Sequence, residues 1–229
     1  MSSVDYRPLR FRQRWFCYLD LLGFTALVQD KSIEKVIPLY KQVLAHLKEH
    51  ARSNRLSGLI YSWFSDTFII YSRDDSEREF KHVENVSRLF FQKLILNRIP
   101  VRGALTHGTL YSQSKENIFV GSALVDAHNY GERQAWLGLI LTPSACRQLE
   151  CGSQSLEDLA HYRPVSEPGI ILCEPSSPVH AFAFNDDSVG GANPYLSILS
   201  EMRFEAPAYA KEKYDRTISF IQKHARPRR

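Results

Sequence analysis

The chain has 229 residues, 44% hydrophobic and 24% charged, which describes a globular protein with a substantial core, most simply one domain with additions. Its formal charge of +4 is only mildly basic, and the surplus sits partly in "RPLRFRQR" (7–14) and "RPRR" (226–229), ends expected to be solvated rather than bound to nucleic acid or lipid. The first residues carry arginines and no apolar run, so no secretory signal is expected. No stretch reaches the roughly 18 continuous apolar residues of a membrane span, so a cytoplasmic protein is expected.

In chain order, "WFCYLDLL" (15–22) reads as a strand that ends on Asp20 and is followed by Gly23, Phe24 and Thr25. The segment 32–52 repeats apolar residues at helical spacing behind a Ser32 cap. Two β-rich runs, "LSGLIYSW" and "TFIIYS", are joined by the tight "FSD" that contains Asp66. A second helix is predicted over 76–98, ending before Pro100, and "VRGALTHGTLY" (101–111) resumes as a strand. Further strands are expected in "GLILT" (138–142), "GIILCE" (169–174) and "VHAFAF" (179–184), then helices in "NPYLSILSEMRF" and "APAYAKEKYDRTISFIQKHA".

The order β, α, β, β, α, β is that of a ferredoxin-like, α+β domain, in which the first and third strands lie antiparallel at the sheet centre. The end of the first strand then meets the start of the third, so Asp20 and Asp66 converge. Two such acids repel unless a cation lies between them, and a hard divalent ion, Mg2+ or Mn2+, is the natural occupant, leaving positions open for substrate phosphates. Taken singly, each aspartate also suits a plain turn. The cysteines (Cys17, Cys146, Cys151, Cys173) and scattered histidines show no zinc spacing.

"FCYLDLLGFT" resembles the first metal-binding motif of class III nucleotidyl cyclases, and "WFSDTFIIY" their second, with Ser65 where glycine is usual. "VRGALTHGTLY" resembles their next strand, and "FVGSALVDAHNYGERQA" (119–135) occupies the place of the helix that carries their transition-state residues. The resemblance implies two metal ions held by Asp20, Asp66 and the Leu21 carbonyl. It implies a triphosphate cradled by the backbone N–H groups of Gly23, Phe24 and Thr25, and Arg102 on the phosphates. The implied reaction is attack of the ribose 3′-hydroxyl on the α-phosphorus, with loss of pyrophosphate.

The departures from the pattern concern the base. The purine-reading positions of adenylyl and guanylyl cyclases fall on Ser62, flanked by Tyr61 and Trp63, and on Ile118, none of which is a long polar reader. Aromatic flanks are expected to narrow the pocket toward a pyrimidine. This is similar to the stand-alone uridylate and cytidylate cyclases of bacterial Pycsar anti-phage systems, whose cyclic nucleotide would act on a separate effector protein; UTP is expected before CTP. The transition-state asparagine and arginine positions fall on Val125 and Asn129; Asn129 and Arg133 keep the Asn-x-x-x-Arg spacing one turn later, although Gly131 between them suggests a loop.

Class III sites form between two catalytic domains, so a head-to-tail homodimer with interfacial sites is implied, and a monomer should be inactive. The expected organisation is a basic arm (1–14), a catalytic domain (15–185) and a helical extension (186–229). Alternatives are a binding module that has lost catalysis, a purine cyclase, a diguanylate cyclase lacking its Gly-Gly, and an RNA-binding domain lacking its aromatic signature.

Overall fold

The computed structural model describes residues 9–29, 59–152, 159–166, 169–171, 179–184 and 193–224, with isolated positions among the remainder. The strands are β1 (Arg12–Leu21), β2 (Ile60–Phe64), β3 (Thr67–Tyr71), β4 (Val101–Gln113), β5 (Ile118–Val120), β6 (Leu139–Leu141), β7 (Tyr162–Pro164) and β8 (His180–Phe182). The helices are α1 (Phe24–Gln29), α2 (Glu77–Leu96), α3 (Ser122–Glu132), α4 (Pro143–Cys151), α5 (Pro194–Glu205) and α6 (Ala208–His224). The helix expected over 32–52 lies, apart from isolated positions, outside the described residues, as does most of "GIILCE", of which Ile171 forms one bridge with Gln134.

The sheet runs β2-β3-β1-β4-β6-β8-β7, with β5 on β4. Its first four strands are the expected ferredoxin-like core: β1 pairs antiparallel with both β3 and β4. β1 begins at Arg12, inside the span read as a basic arm. Its buried residues alternate between two apolar layers, as the two-residue strand period requires. Trp15, Cys17, Leu19 and Leu21 join the cluster that contains α2, α5 and α6 residues, whereas Phe16 and Tyr18 join the cluster of α3. Asp20 has the parity of Phe16 and Tyr18 and therefore faces α3. That parity sets the chemistry of the site.

Each helix carries its own reason for forming. α2 buries Phe80, Val83, Phe90, Phe91, Leu94 and Ile95 at helical spacing, and its Ser76 cap accepts from the Glu79 amide. α4, not foreseen, starts behind a Thr142 cap with Pro143 in the first turn. α3 buries Ala123, Ala127 and Gly131, a stripe of small residues that lets it lie close on β1 and β4. It runs through Gly131, where a loop was expected. A Cβ there would come within 2.6 Å of the Tyr18 ring, so glycine serves close approach and not chain reversal. Asp126 pins the same helix, its buried-side carboxylate accepting from the Thr106 and Ser144 hydroxyls, which also join Thr142.

Candidate active site

The site is built at the end of β1. Asp20 stands opposite Arg102 of β4 on one side and Thr67 of β3 on the other, so strand register alone gathers an acid, a cation and a hydroxyl. Asp66 enters through the two-residue β2–β3 hairpin. Its carbonyl accepts from the Leu21 amide at 3.0 Å, which locks the hairpin tip against the end of β1. Ser65 precedes it at φ 57°, the left-handed region that explains why a glycine suits this position.

Asp20 is buried, and burial pushes its carboxyl pKa up. The Arg102 guanidinium opposes that shift, while the negative charges of Glu132 and Asp66 reinforce it, which places both acids in its field. Arg102 Nε donates to Asp20 Oδ2 at 2.9 Å and Nη2 to Glu132 Oε2 at 2.8 Å. Its Nη1 donates to the backbone oxygens of Glu132 and Gln134. Glu132 in turn accepts from the Tyr18 hydroxyl at 2.9 Å. The arginine expected on phosphates is thus spent, in this state, on the acids beside it.

Among the described residues no three His, Cys, Asp or Glu side chains form a closed metal cage. Asp20 and Asp66 with the neighbouring Leu21 carbonyl are an open set of hard oxygen donors, which is what Mg2+ or Mn2+ takes when substrate phosphates complete its shell. The donor chemistry therefore fits such an ion.

Beyond Leu21 the chain turns at Gly23, with φ 74°, into α1, so Gly23, Phe24 and Thr25 open a short helix directly beside the acids. A cavity of about 260 Å³ lies under this turn, lined by Leu22, Gly23, Pro100, Tyr209 and Lys213 among others. The Lys213 ammonium is driven toward lower pKa first by burial and then by Arg102, while Asp20 and Glu132 pull the other way. Sequence reading missed Lys213, because only tertiary packing brings α6 under the site. It missed Glu132 for the same reason, although its place beside the expected Asn/Arg pair was a usable signal.

The base-reading positions divide. Ser62 pairs with Ile69 in the β2–β3 register and shares the α3 face with Asp20; its hydroxyl donates to Asn117 Oδ1 at 3.4 Å, beside exposed Ile118. Tyr61 and Trp63 point to the opposite face, since neighbours along a strand alternate. Trp63 stacks on Phe68 with centroids 5.6 Å apart, within the α2 layer. The narrowing of a pocket around Ser62 by these two aromatics is therefore not what the fold provides. Asn129 and Arg133 are exposed. With Val125 they form the exposed stripe of α3, opposite the buried Ala123, Ala127 and Gly131.

No protein-family model and no curated protein matches the sequence. Solved structures do resemble the fold. The guanylate cyclase domain of RhGC from Catenaria anguillulae, solved with GTP, is 9% identical over 76% of this chain and 97% of its own, with a TM-score of 0.55. The adenylyl cyclase CyaB from P. aeruginosa is 11% identical over 80% of this chain and 100% of its own, with a TM-score of 0.55. A monomeric guanylyl cyclase domain of the RhoGC fusion protein from Blastocladiella emersonii is 10% identical over 76% of this chain and 96% of its own, at 0.54. At these identities the likeness shows the fold: the chain has the α+β architecture of nucleotidyl cyclase catalytic domains. No helix among the described residues is long and apolar enough to cross a membrane.

Proposed function

We propose that the protein is a metal-dependent nucleotidyl cyclase that converts a pyrimidine nucleoside triphosphate, UTP before CTP, to its 3′,5′-cyclic monophosphate and pyrophosphate. The observation that carries this reading is the placing of Asp66, tied by its carbonyl to the Leu21 amide, beside an Asp20 that Arg102 binds, next to the Gly23 turn and in a fold shared with cyclase domains.

Asp20, Asp66 and the Leu21 carbonyl would hold two divalent ions. Bound there, Mg2+ or Mn2+ supplies a lowered pKa for the ribose 3′-hydroxyl and charge neutralisation for the leaving pyrophosphate. The N–H groups of Gly23, Phe24 and Thr25 orient the triphosphate. Lys213 adds positive charge on its flank, and Arg102, paired with Glu132, offers the Nε–H that Asp20 gives up. The base lies against Ser62, Asn117 and Ile118, short or apolar side chains without the charged readers that purine cyclases use.

The protein acts as a head-to-tail homodimer. The outward stripe of Asn129 and Arg133 supports this: it is exposed on α3, opposite the small residues packed on the sheet, and is open to meet the acids of a second copy. The phage-defence setting, with a separate effector answering the cyclic nucleotide, is carried over from the Pycsar enzymes that the sequence resembles.

The test is to incubate the purified protein with Mn2+ and each of ATP, GTP, CTP and UTP, and identify products by mass spectrometry. A cyclic pyrimidine monophosphate that disappears in Asp20→Ala is the expected result. A cyclic purine product refutes the base assignment, and no product from any nucleotide refutes the reaction.

A further inference from the structure

We infer that Glu132 is a positioning residue: it keeps the Arg102 guanidinium in place and neutralised, so that Asp20 can exchange its bond to Arg102 for a bond to a divalent ion. The inference rests on the metal-site reading of Asp20 and Asp66 above, and goes beyond it by assigning a role to an acid outside the metal-ligand set.

The geometry is a closed circuit. Asp20 Oδ2 accepts from Arg102 Nε at 2.9 Å, so an ion that uses this oxygen competes with that bond, because a guanidinium and a divalent ion repel at such range. Arg102 does not thereby lose its place. Nη2 keeps Glu132 Oε2 at 2.8 Å, and Nη1 keeps the backbone oxygens of Glu132 at 2.5 Å and Gln134 at 3.2 Å. The Glu132 carbonyl lies at the C-terminal end of α3, where the helix dipole also favours a cation, and that of Gln134 lies just beyond it.

Glu132 is itself fixed through its other oxygen. The Tyr18 hydroxyl donates to Oε1 at 2.9 Å and lies 3.4 Å from Thr67 Oγ1, which is 3.5 Å from Asp66 Oδ1. Both metal acids are thus linked through Tyr18, Glu132 and Arg102. If Glu132 is made neutral, Arg102 retains Asp20 as its one carboxylate partner among the described residues. The Arg102–Asp20 pair tightens, and an incoming ion faces a cation without its counter-charge. The metal then binds more weakly.

The experiment measures Mn2+ alone, without nucleotide, binding to the full chain by electron paramagnetic resonance of the free ion, with circular dichroism melting of each variant as a check on folding. Glu132→Gln is expected to raise the Mn2+ Kd about fivefold to tenfold, and Tyr18→Phe to raise it about twofold to threefold, since it frees one Glu132 oxygen. Arg102→Met should lower the Kd, and in that background Glu132→Gln should cost less than about twofold, because there is no guanidinium left to hold. Equal losses in both backgrounds, or no loss in either single variant, overturn the inference. Saturable Mn2+ binding with cyclic product but an unchanged Kd in Glu132→Gln overturns it alone. No saturable Mn2+ binding by the unaltered protein overturns both it and the metal site.

Discussion

Replacing Gly131 by alanine sets two opposing effects against each other, and the structure says which wins. In an exposed helix interior the change stabilises by about 1 kcal/mol, because glycine has the larger backbone entropy to lose. Here the added Cβ would lie 2.6 Å from Tyr18 Cδ1 and 3.0 Å from Cε1, well inside van der Waals contact. The ring cannot yield cheaply. It is 4% exposed, its hydroxyl bonds Glu132, and its edge meets His128 with centroids 5.4 Å apart. Forcing α3 and β1 apart carries the usual overpacking cost of about 1–3 kcal/mol, and loss of the Tyr18–Glu132 bond adds about 1 kcal/mol at a carboxylate that is partly exposed. The net expectation is a destabilisation of about 2 kcal/mol, read in urea as a lower midpoint at unchanged slope, or as a melting temperature roughly 4–8 °C lower. A Gly131→Ala variant as stable as the unaltered protein, or more so, would refute the close-approach account of this glycine.

Asp66→Asn should abolish cyclisation while leaving the dimer intact by light scattering; normal turnover by that variant would remove Asp66 from the metal site. Ser65→Gly should stabilise the hairpin by about 0.5–1 kcal/mol, because it relieves a left-handed backbone at φ 57°, and an unchanged urea midpoint would contradict this. Ser62→Ala should change the ratio of UTP to CTP turnover whereas Tyr61→Ala should not, since the two side chains leave opposite faces of β2; the reverse outcome would return the aromatic to the base pocket. Burial holds the His107 pKa below its ordinary value of 6.5, with Asp75 opposing. The unfolded chain therefore takes up that proton first, so stability is full above 6.5 and declines as pH falls below it. His107→Phe, keeping the ring against Trp15, should flatten the fall in melting temperature measured between about pH 6.5 and 5.5.

Much of the fold was legible because its signals are local. The β-rich runs, the helical segment that stops before Pro100, and the tight turn that contains Asp66 each follow from residues a few positions apart, and their order fixes the ferredoxin-like core. That order also brought Asp20 and Asp66 together, since antiparallel neighbours at a sheet centre share an edge. The short strands β5 and β7 and the helix α4 escaped notice because their lengths are set by what they pair with or pack on.

The residue types at the site were readable from the sequence, but their partners were not. Which face a side chain takes depends on register: one position along β2 separates Ser62, beside Asn117, from Trp63, stacked in the opposite layer. Gly131 read as a chain breaker until Tyr18 supplied the ring it must clear. Glu132 and Lys213 gain meaning only when α3 and α6 are laid against the end of β1, where long-range packing decides which charge stands beside Asp20. The sequence by itself determined the core strands and long helices, their order and the acids at the strand ends, because those depend on short-range periodicity and turn chemistry. Only the tertiary structure decided which groups neutralise one another, because charge pairing acts through space and not along the chain.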